Sequence, residues 1–273
     1  FACMAPAVLA RLLDYPDYAS FNITTKPRIA CAGAPPPLTF VQRLEKEIGW
    51  TFMQLYGLTE TAPILTMAEP KPHLNLEGEE LYRIKARAGH SALGVSLRVI
   101  GEGGHDVPQD DETVGEVAAR GNMIFKGYWQ QPEETNKVVR DGYFYTGDLA
   151  TMDQYGYINI VDRAKDVIIS GGENISSIEV EDILYRHPAV LEAAVVGIPH
   201  EKWGETPLAI IVPQAGETPS QEEIIEFCRE NLAHFKAPTR VELADALPRT
   251  ATGKLKKFEL RDTYWGDSER RVN

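Results

Sequence analysis

The sequence predicts an α/β protein of two domains, and three observations support this prediction. The chain has 273 residues, of which 43% are apolar and 25% charged, as is typical of globular proteins. Apolar residues alternate between helical spacing and short extended runs up to about residue 75, and then follow a spacing of two between about 94 and 161. Helices and strands mix again after 165, so we place the domains at 1–162 and 163–273.

The first region predicts an α/β layer over residues 1–75, because helical and extended patterns follow one another. Leu38–Ile48 carries apolar residues at helical spacing, and Pro6–Leu13 begins with a proline, which suits a first helical turn. Short apolar runs between these helices predict strands at Arg28–Ala32 and Thr51–Tyr56.

Residues 85–162 predict a β-rich subdomain. Val95, Leu97 and Val99 alternate as on one face of a strand, and turn sequences follow at 101–104 (GEGG) and 153–156 (DQYG). Pro132–Val138 is the one helical segment expected in this region.

The sequence pattern of the second domain predicts a small α+β unit. Ser220 and Glu223 form a capping box at the start of one of its helices. Its predicted elements are strands at Val167–Ser170, Val190–Val196 and Pro207–Pro213, helices at Ser177–His187 and Gln221–Leu232, and a strand from Val241, a loop to Lys254 and a short basic helix.

Charge and composition exclude some classes of partner. The formal net charge of −12 disfavours nucleic acids and anionic membranes, which would repel such a surface. The longest apolar run, Ala193–Ile198, is far shorter than the roughly 18–20 residues of a membrane span. The three scattered cysteines form neither a disulfide framework nor a CxxC metal site, so we expect a reducing, cytoplasmic location.

Four segments carry the functional information, and they occur in the order YGLTET at 56–61, YTGDL at 145–149, DRAKD at 162–166 with SGGEN at 170–174, and PRTATGK at 248–254. Together they resemble the adenylate-forming superfamily of acyl-CoA synthetases, nonribosomal adenylation domains and beetle luciferases. GGENIS at 171–176, PAV at 188–190 and WGE at 203–205 look most like the synthetases for medium or long fatty acids. The resemblance implies the C-terminal portion of a large α/β plus β-barrel adenylation domain, followed by a small mobile domain.

The resemblance also implies a nucleotide site. A threonine hydroxyl can hydrogen-bond the α-phosphate and a carboxylate is a hard ligand for Mg²⁺, roles that fall to Thr59 and Glu60. Taken alone, this pair would read as an ordinary helix start. An ionised carboxylate accepts both ribose hydroxyl protons, which favours Asp148 as the ribose ligand. The remaining residues implied for ATP or AMP are Gly33, Ala34, Pro35, Tyr56, Gly57 and Arg163.

Residues of the second domain are implied in catalysis and domain rotation. Lys254 corresponds to the lysine that the family uses in the adenylation transition state, and its acetylation by a lysine acetyltransferase would remove that cation. Lys165 corresponds to the family's hinge. Gly171 and Gly172 would line the channel for the CoA pantetheine arm, where a Cβ would intrude.

We therefore expect an AMP-forming fatty acyl-CoA synthetase that uses a fatty acid, ATP, Mg²⁺ and CoA. The family's phosphate loop has no counterpart in this sequence and the chain starts at Phe1, so we expect the chain to be a fragment that is inactive by itself. Two alternatives stay open: an adenylation enzyme that loads a carrier protein, and a noncatalytic nucleotide-binding or interaction fragment.

Overall fold

A computed structural model describes residues 1–33, 36–250 and 255–265. Its contacts divide the chain into two compact units, Phe1–Ile160 and Val161–Asn273. The division falls inside a strand, two residues before the boundary that the sequence predicts. The identity of the two units as adenylation domain and mobile domain stays a prediction.

The first sheet of the first unit begins with three parallel strands and ends with two short antiparallel ones. Parallel pairing requires a connection that crosses back over the sheet, and helices of this region serve that purpose. The elements are β1 (Ala2–Met4), α1 (Pro6–Leu13), β2 (Arg28–Cys31), α2 (Leu38–Arg43), β3 (Thr51–Tyr56), β4 (Thr66–Met67), α3 (Gly78–Ala86) and β5 (His90–Ser91).

The core of this layer joins helices α1 and α2 to strands β2 and β3. Leu9 and Val41 project from the helices onto Ile29 and Phe52, and all four are at most 1% exposed. The helix predicted over 38–48 is present, but its last part, Leu44–Ile48, has the wider π geometry and ends at Gly49 with φ of 77°. Helix α3 was missed by the sequence analysis.

The second sheet of the first unit forms the β-rich region, and its order is β10-β9-β7-β6 with β8 paired to β9. Its core forms around Val99, Val117 and Ile158, which are at most 2% exposed. The described strands form an open sheet rather than a closed barrel. The elements are β6 (Val95–Ile100), β7 (Gly115–Gly121), α4 (Pro132–Val138), β8 (Val139–Arg140), β9 (Tyr143–Met152) and β10 (Ile158–Arg163).

The second unit is built on a sheet of order β12-β11-β14-β13, with β15 added in parallel to β14. The central pair β13 and β14 is buried on both faces, because α5 and α6 cover one face and α7 the other. The elements are β11 (Ile168–Ser170), β12 (Glu173–Ile175), α5 (Ser177–Leu184), β13 (Val190–His200), β14 (Gly204–Pro213), α6 (Gln221–Asn231), β15 (Arg240–Leu243) and α7 (Lys257–Trp265).

The α/β fold class predicted from the sequence is confirmed. No helix in the described part of the chain combines the length and the apolar character that crossing a membrane requires.

Candidate nucleotide site

The YGLTET segment forms a tight turn directly after β3. Thr59–Thr61 is a short 3₁₀ helix, and the buried Thr61 fixes it: its hydroxyl donates to the Leu58 carbonyl, while the Leu58 amide donates to Thr61 Oγ1, each at 2.9 Å. Thr59 is exposed, so its hydroxyl can reach a ligand. Thr61 therefore stabilises the turn that exposes Thr59, and the ligand role of Thr59 stays a prediction.

Gly57 has a packing role that the sequence analysis did not give it. A Cβ at this position would lie 1.9 Å from the Pro63 carbonyl oxygen, so a larger residue would force the backbone apart. The assignment of Gly57 to nucleotide binding stays a prediction, and the close approach explains the glycine without it.

Asp148 lies in β9 and is 6% exposed. Tyr56, at the end of β3, donates its phenol hydrogen to Asp148 Oδ2 at 2.7 Å. The preceding Gly147 has φ of +75°, and its amide donates to Glu116 at 3.0 Å, so the backbone turns away from the strand next to the carboxylate. Two of the four motifs, separated by 92 positions, thus meet through one hydrogen bond.

Glu60 is held in a similar way. Tyr128 donates its phenol hydrogen to Glu60 Oε1 at 3.0 Å, and the Glu60 carbonyl accepts a hydrogen bond of 2.8 Å from the Phe125 amide. Burial, followed by the hydrogen bond to Glu60, raises the pKa of Tyr128, so its hydroxyl keeps the proton that it donates. The sequence analysis missed Tyr128, although an aromatic pair beside Gly127 just before the proline of α4 could have drawn attention to it.

The residues of this turn fit a magnesium ion bound to ATP. Mg²⁺ usually keeps several waters and uses one or two carboxylates together with substrate phosphates. Glu60 supplies one half-buried carboxylate beside the exposed Thr59 hydroxyl. Among the described residues, no group of three or more His, Cys, Asp or Glu side chains is arranged to hold a metal ion.

The segment at 163–167, which contains the predicted hinge residue Lys165, is a hydrogen-bonded turn. The Arg163 carbonyl accepts from the amides of Asp166 and Val167 at 2.8 and 3.1 Å. Arg261 of α7 donates to the Lys165 carbonyl and to Asp166 Oδ1, each at 3.2 Å. These contacts fix the peptide between Lys165 and Asp166 to α7, so any rotation of this unit must occur at Lys165 or before it.

Gly171 and Gly172 follow β11 in the left-handed region, at φ of +62° and +90°. A Cβ on Gly171 would lie 2.9 Å from Trp203, whereas a Cβ on Gly172 would meet nothing within 4 Å. The two glycines therefore differ. Gly171 is favoured both by its positive φ and by the close approach of Trp203, whereas Gly172 is favoured by its positive φ alone.

Several predicted site residues are not placed. Ala34, Pro35 and Lys254 lie outside the described residues. Gly33 is described, with φ of +115° and open space around its Cα. The structure thus brings together Tyr56, Asp148, Glu60 and Thr59 within the first unit, while Arg163, Lys165 and the glycine pair belong to the second.

Comparisons with known proteins identify the family of the chain. A model of AMP-binding enzymes matches residues 1–129, and a model of the AMP-binding enzyme C-terminal domain matches residues 179–254. The peroxisomal trans-cinnamate:CoA ligase of Petunia hybrida is 40% identical over 95% of this chain and 46% of its own length. The long-chain-fatty-acid–CoA ligase of Thermus thermophilus is 41% identical over 97% of this chain and 49% of its own length.

A solved structure has the same fold. The amide bond synthetase McbA from Marinactinospora thermotolerans matches with a TM-score of 0.85 and 32% identity over 96% of this chain and 51% of its own. The chain therefore spans about half the length of the relatives that it matches.

Proposed function

Because the chain belongs to the adenylate-forming family of AMP-binding enzymes, we propose that it works as part of an AMP-forming acid:CoA ligase. The proposed reaction joins a carboxylate to the α-phosphate of ATP with release of pyrophosphate, and then transfers the acyl group to CoA with release of AMP. The observation that carries this proposal is the Tyr56–Asp148 hydrogen bond of 2.7 Å, which unites two separate motifs at one site.

In the proposed mechanism, Asp148 accepts hydrogen bonds from the ribose hydroxyls while Tyr56 holds its carboxylate in place. Thr59 donates its hydroxyl to an oxygen of the α-phosphate. Mg²⁺ bound to the phosphates would neutralise part of their charge, with Glu60 as its protein ligand. Positioning of the two reactants and stabilisation of developing negative charge then provide most of the rate enhancement.

The second unit supplies the remaining proposed groups. Lys254 would place its ammonium on the α-phosphate and the attacking carboxylate, and Arg163 would contact the ribose. After rotation at Lys165, Gly172 would face the pantetheine arm of CoA, a role that the open space around its Cα supports.

The test follows the two half-reactions in the complete protein that carries this chain. Lys254→Ala should lower pyrophosphate exchange by about 100- to 1000-fold, the loss typical of one transition-state charge contact, yet still convert supplied acyl-adenylate to acyl-CoA. Gly172→Leu and Lys165→Pro should do the reverse. If Lys254→Ala and Gly172→Leu depress both half-reactions equally, the two-conformation mechanism is wrong.

We propose a fatty acid as the acyl substrate, which the Thermus relative and the segments at 171–176 and 203–205 support. The Petunia relative carries the name of a cinnamate ligase, so the assay compares octanoate, palmitate and cinnamate at equal concentration. A higher kcat/KM for cinnamate than for both fatty acids would contradict this choice. Transfer to a carrier protein but not to CoA would favour the alternative of a carrier-loading enzyme.

The chain of 273 residues is proposed to be inactive by itself, because no segment of it resembles the family's phosphate loop. Acyl-CoA formation by the purified chain would contradict this, whereas AMP binding without turnover would support the alternative of a nucleotide-binding fragment.

Regulation and location are further parts of the proposal. Acetylation of Lys254 should abolish adenylation, and full activity of a stoichiometrically acetylated enzyme would contradict it. A cytoplasmic location is proposed from the three scattered cysteines, and fluorescence microscopy of the tagged complete protein would test it.

A further inference from the structure

We propose that Tyr128 is a positioning residue for Glu60, and that it orients this carboxylate toward the divalent cation that accompanies ATP. The inference rests on the proposed function, and it concerns a residue outside all four motifs. Its basis is the hydrogen bond of 3.0 Å from the Tyr128 hydroxyl to Glu60 Oε1.

The position of Tyr128 is fixed by its backbone. Its amide donates to the Thr135 hydroxyl oxygen at 2.9 Å, and the Thr135 hydroxyl in turn donates to the Gln131 carbonyl at 2.9 Å. The Gln131 amide donates to the Tyr128 carbonyl at 3.2 Å, so the residue is bonded on both sides at the start of α4. The phenol is thus attached to a rigid segment.

The ring of Tyr128 is fixed as well. It contacts Phe125 edge-on with centroids 4.9 Å apart, and Phe125 contacts Phe144 at 5.1 Å. Phe144 is 3% exposed and lies in β9, the strand that carries Asp148. Since the Phe125 amide also donates to the Glu60 carbonyl, one aromatic cluster connects the turn of Glu60 with the strand of Asp148.

A phenol suits this role because it is a neutral donor. It fixes one carboxylate oxygen without compensating the negative charge, whereas a lysine or arginine at the same place would compete with a metal ion. Among the described residues, Glu60 Oε1 accepts a hydrogen bond from the phenol and Oε2 accepts none. Oε2 is therefore the oxygen that Tyr128 leaves to the cation.

The experiment measures Mn²⁺ binding by electron paramagnetic resonance, in the presence of a nonhydrolysable ATP analogue, on the complete protein that carries this chain. Tyr128→Phe keeps the ring and removes the hydroxyl, so it should raise the Mn²⁺ dissociation constant about tenfold, as expected for loss of one hydrogen bond to a charged group. Tyr155→Phe, at an exposed tyrosine of the same unit, should leave the constant unchanged.

Two further variants separate positioning from simple support of the loop. Thr135→Val removes the acceptor of the Tyr128 amide but keeps the phenol, so it should change Mn²⁺ affinity less than Tyr128→Phe. In a Glu60→Gln background, Tyr128→Phe should have no further effect, because its action passes through the carboxylate.

The outcomes distinguish the positioning role of Tyr128 from the proposed function. A full additional loss from Tyr128→Phe in the Glu60→Gln background would overturn the positioning role. If Glu60→Gln weakens Mn²⁺ binding and Tyr128→Phe does not, this inference fails while the proposed function stands. If Glu60→Gln has no effect, Glu60 is not a ligand of the cation and this inference fails with that assignment, whereas the proposed function fails if the wild-type protein does not bind Mn²⁺ with the analogue.

Discussion

The acids of the candidate site in the first unit and the interior acids of the second unit have different donors. In the first unit, the hydroxyls of Tyr56 and Tyr128 donate to Asp148 and Glu60. In the second unit, the Lys257 ammonium lies 2.7 Å from Glu181 Oε1 and donates to the Ser177 hydroxyl at 2.7 Å.

The two kinds of donor have opposite effects on the charge of the carboxylate. A phenol orients a carboxylate and leaves its charge in place, which suits an acid that must meet a cation or a ribose hydroxyl. An ammonium compensates the charge, which suits an acid in the interior of the fold. The Asp162 carboxylate belongs to the second group, because it is 1% exposed and the charge of Lys257 opposes the rise in its pKa that burial causes.

The largest effect is expected for Lys257→Met, which leaves Glu181 as a buried charge without its cation. Such a loss typically costs about 3–5 kcal/mol, and we expect the free energy of unfolding in urea to fall by that amount. Lys256→Met is the matched control: its ion pair with Glu259 is 31% and 41% exposed and should contribute less than about 1 kcal/mol. Equal stability of the two variants would remove the basis of the comparison.

Asp148→Asn should change AMP binding strongly and stability only slightly. The amide keeps an acceptor for Tyr56, so the free energy of unfolding should change by less than about 1 kcal/mol. Loss of a charged acceptor for the ribose should weaken AMP binding by about 10- to 150-fold, measured by calorimetry on the complete protein. Asp141→Asn, at an exposed turn of the same unit, should leave both quantities unchanged. A large loss of stability with unchanged AMP affinity would mean that Asp148 is structural.

Glu181→Gln should change how stability depends on pH. Burial raises the pKa of Glu181 to about 6, against the opposing influence of Lys257 from α7, and Asp162 and Tyr185 are its other titrating neighbours. A raised pKa means that the folded state binds the proton more tightly, so this stabilising contribution is full below the unfolded value of 4.5 and is lost as pH rises through about 6.

The wild-type free energy of unfolding should therefore fall, through Glu181, on the order of 1–2 kcal/mol between these two pH values, and the variant should lack this component. Glu217→Gln, at an exposed position, should retain the wild-type slope. An unchanged slope in Glu181→Gln would show that Glu181 ionises as an ordinary surface acid.

Local patterns predicted most elements, because their causes are local. Helix α1 spans Pro6–Leu13 as predicted, since a proline at its first turn and apolar residues at helical spacing define it. Helix α3 was missed because its N-cap Glu77 makes no side-chain cap hydrogen bond and because much of its burial comes from tertiary contacts. One of these is the nearly buried Lys85–Glu45 ion pair, across 40 positions.

The residues of the candidate site were also predicted only in part. Glu60, Asp148 and Tyr56 were predicted from their motifs, but Tyr128 and the two phenol–carboxylate pairings were not. Each pairing joins distant segments, with 92 positions between Tyr56 and Asp148 and 68 between Tyr128 and Glu60. A pairing of this kind depends on how the sheets pack, which periodicity in one segment does not report. The helix predicted to reach His187 also ends earlier, at Leu184, where the chain turns toward Pro188.

The smallest expected effect is the coupling energy between Tyr56 and Asp148, and its comparison with the coupling between Lys257 and Glu181 tests the contrast most directly. A double-mutant cycle of Tyr56→Phe and Asp148→Asn should give a coupling of about 0.5–1.5 kcal/mol in unfolding free energy, because the amide still accepts from Tyr56 and only the charge of the acceptor is lost. The cycle of Lys257→Met and Glu181→Gln should give a larger value, about 2–3 kcal/mol, because removing both partners avoids the unpaired buried charge that each single variant creates. If the coupling of Tyr56 with Asp148 equals or exceeds that of Lys257 with Glu181, the phenol is bound as firmly as a buried cation, and the acids of the first unit would be structural like those of the second.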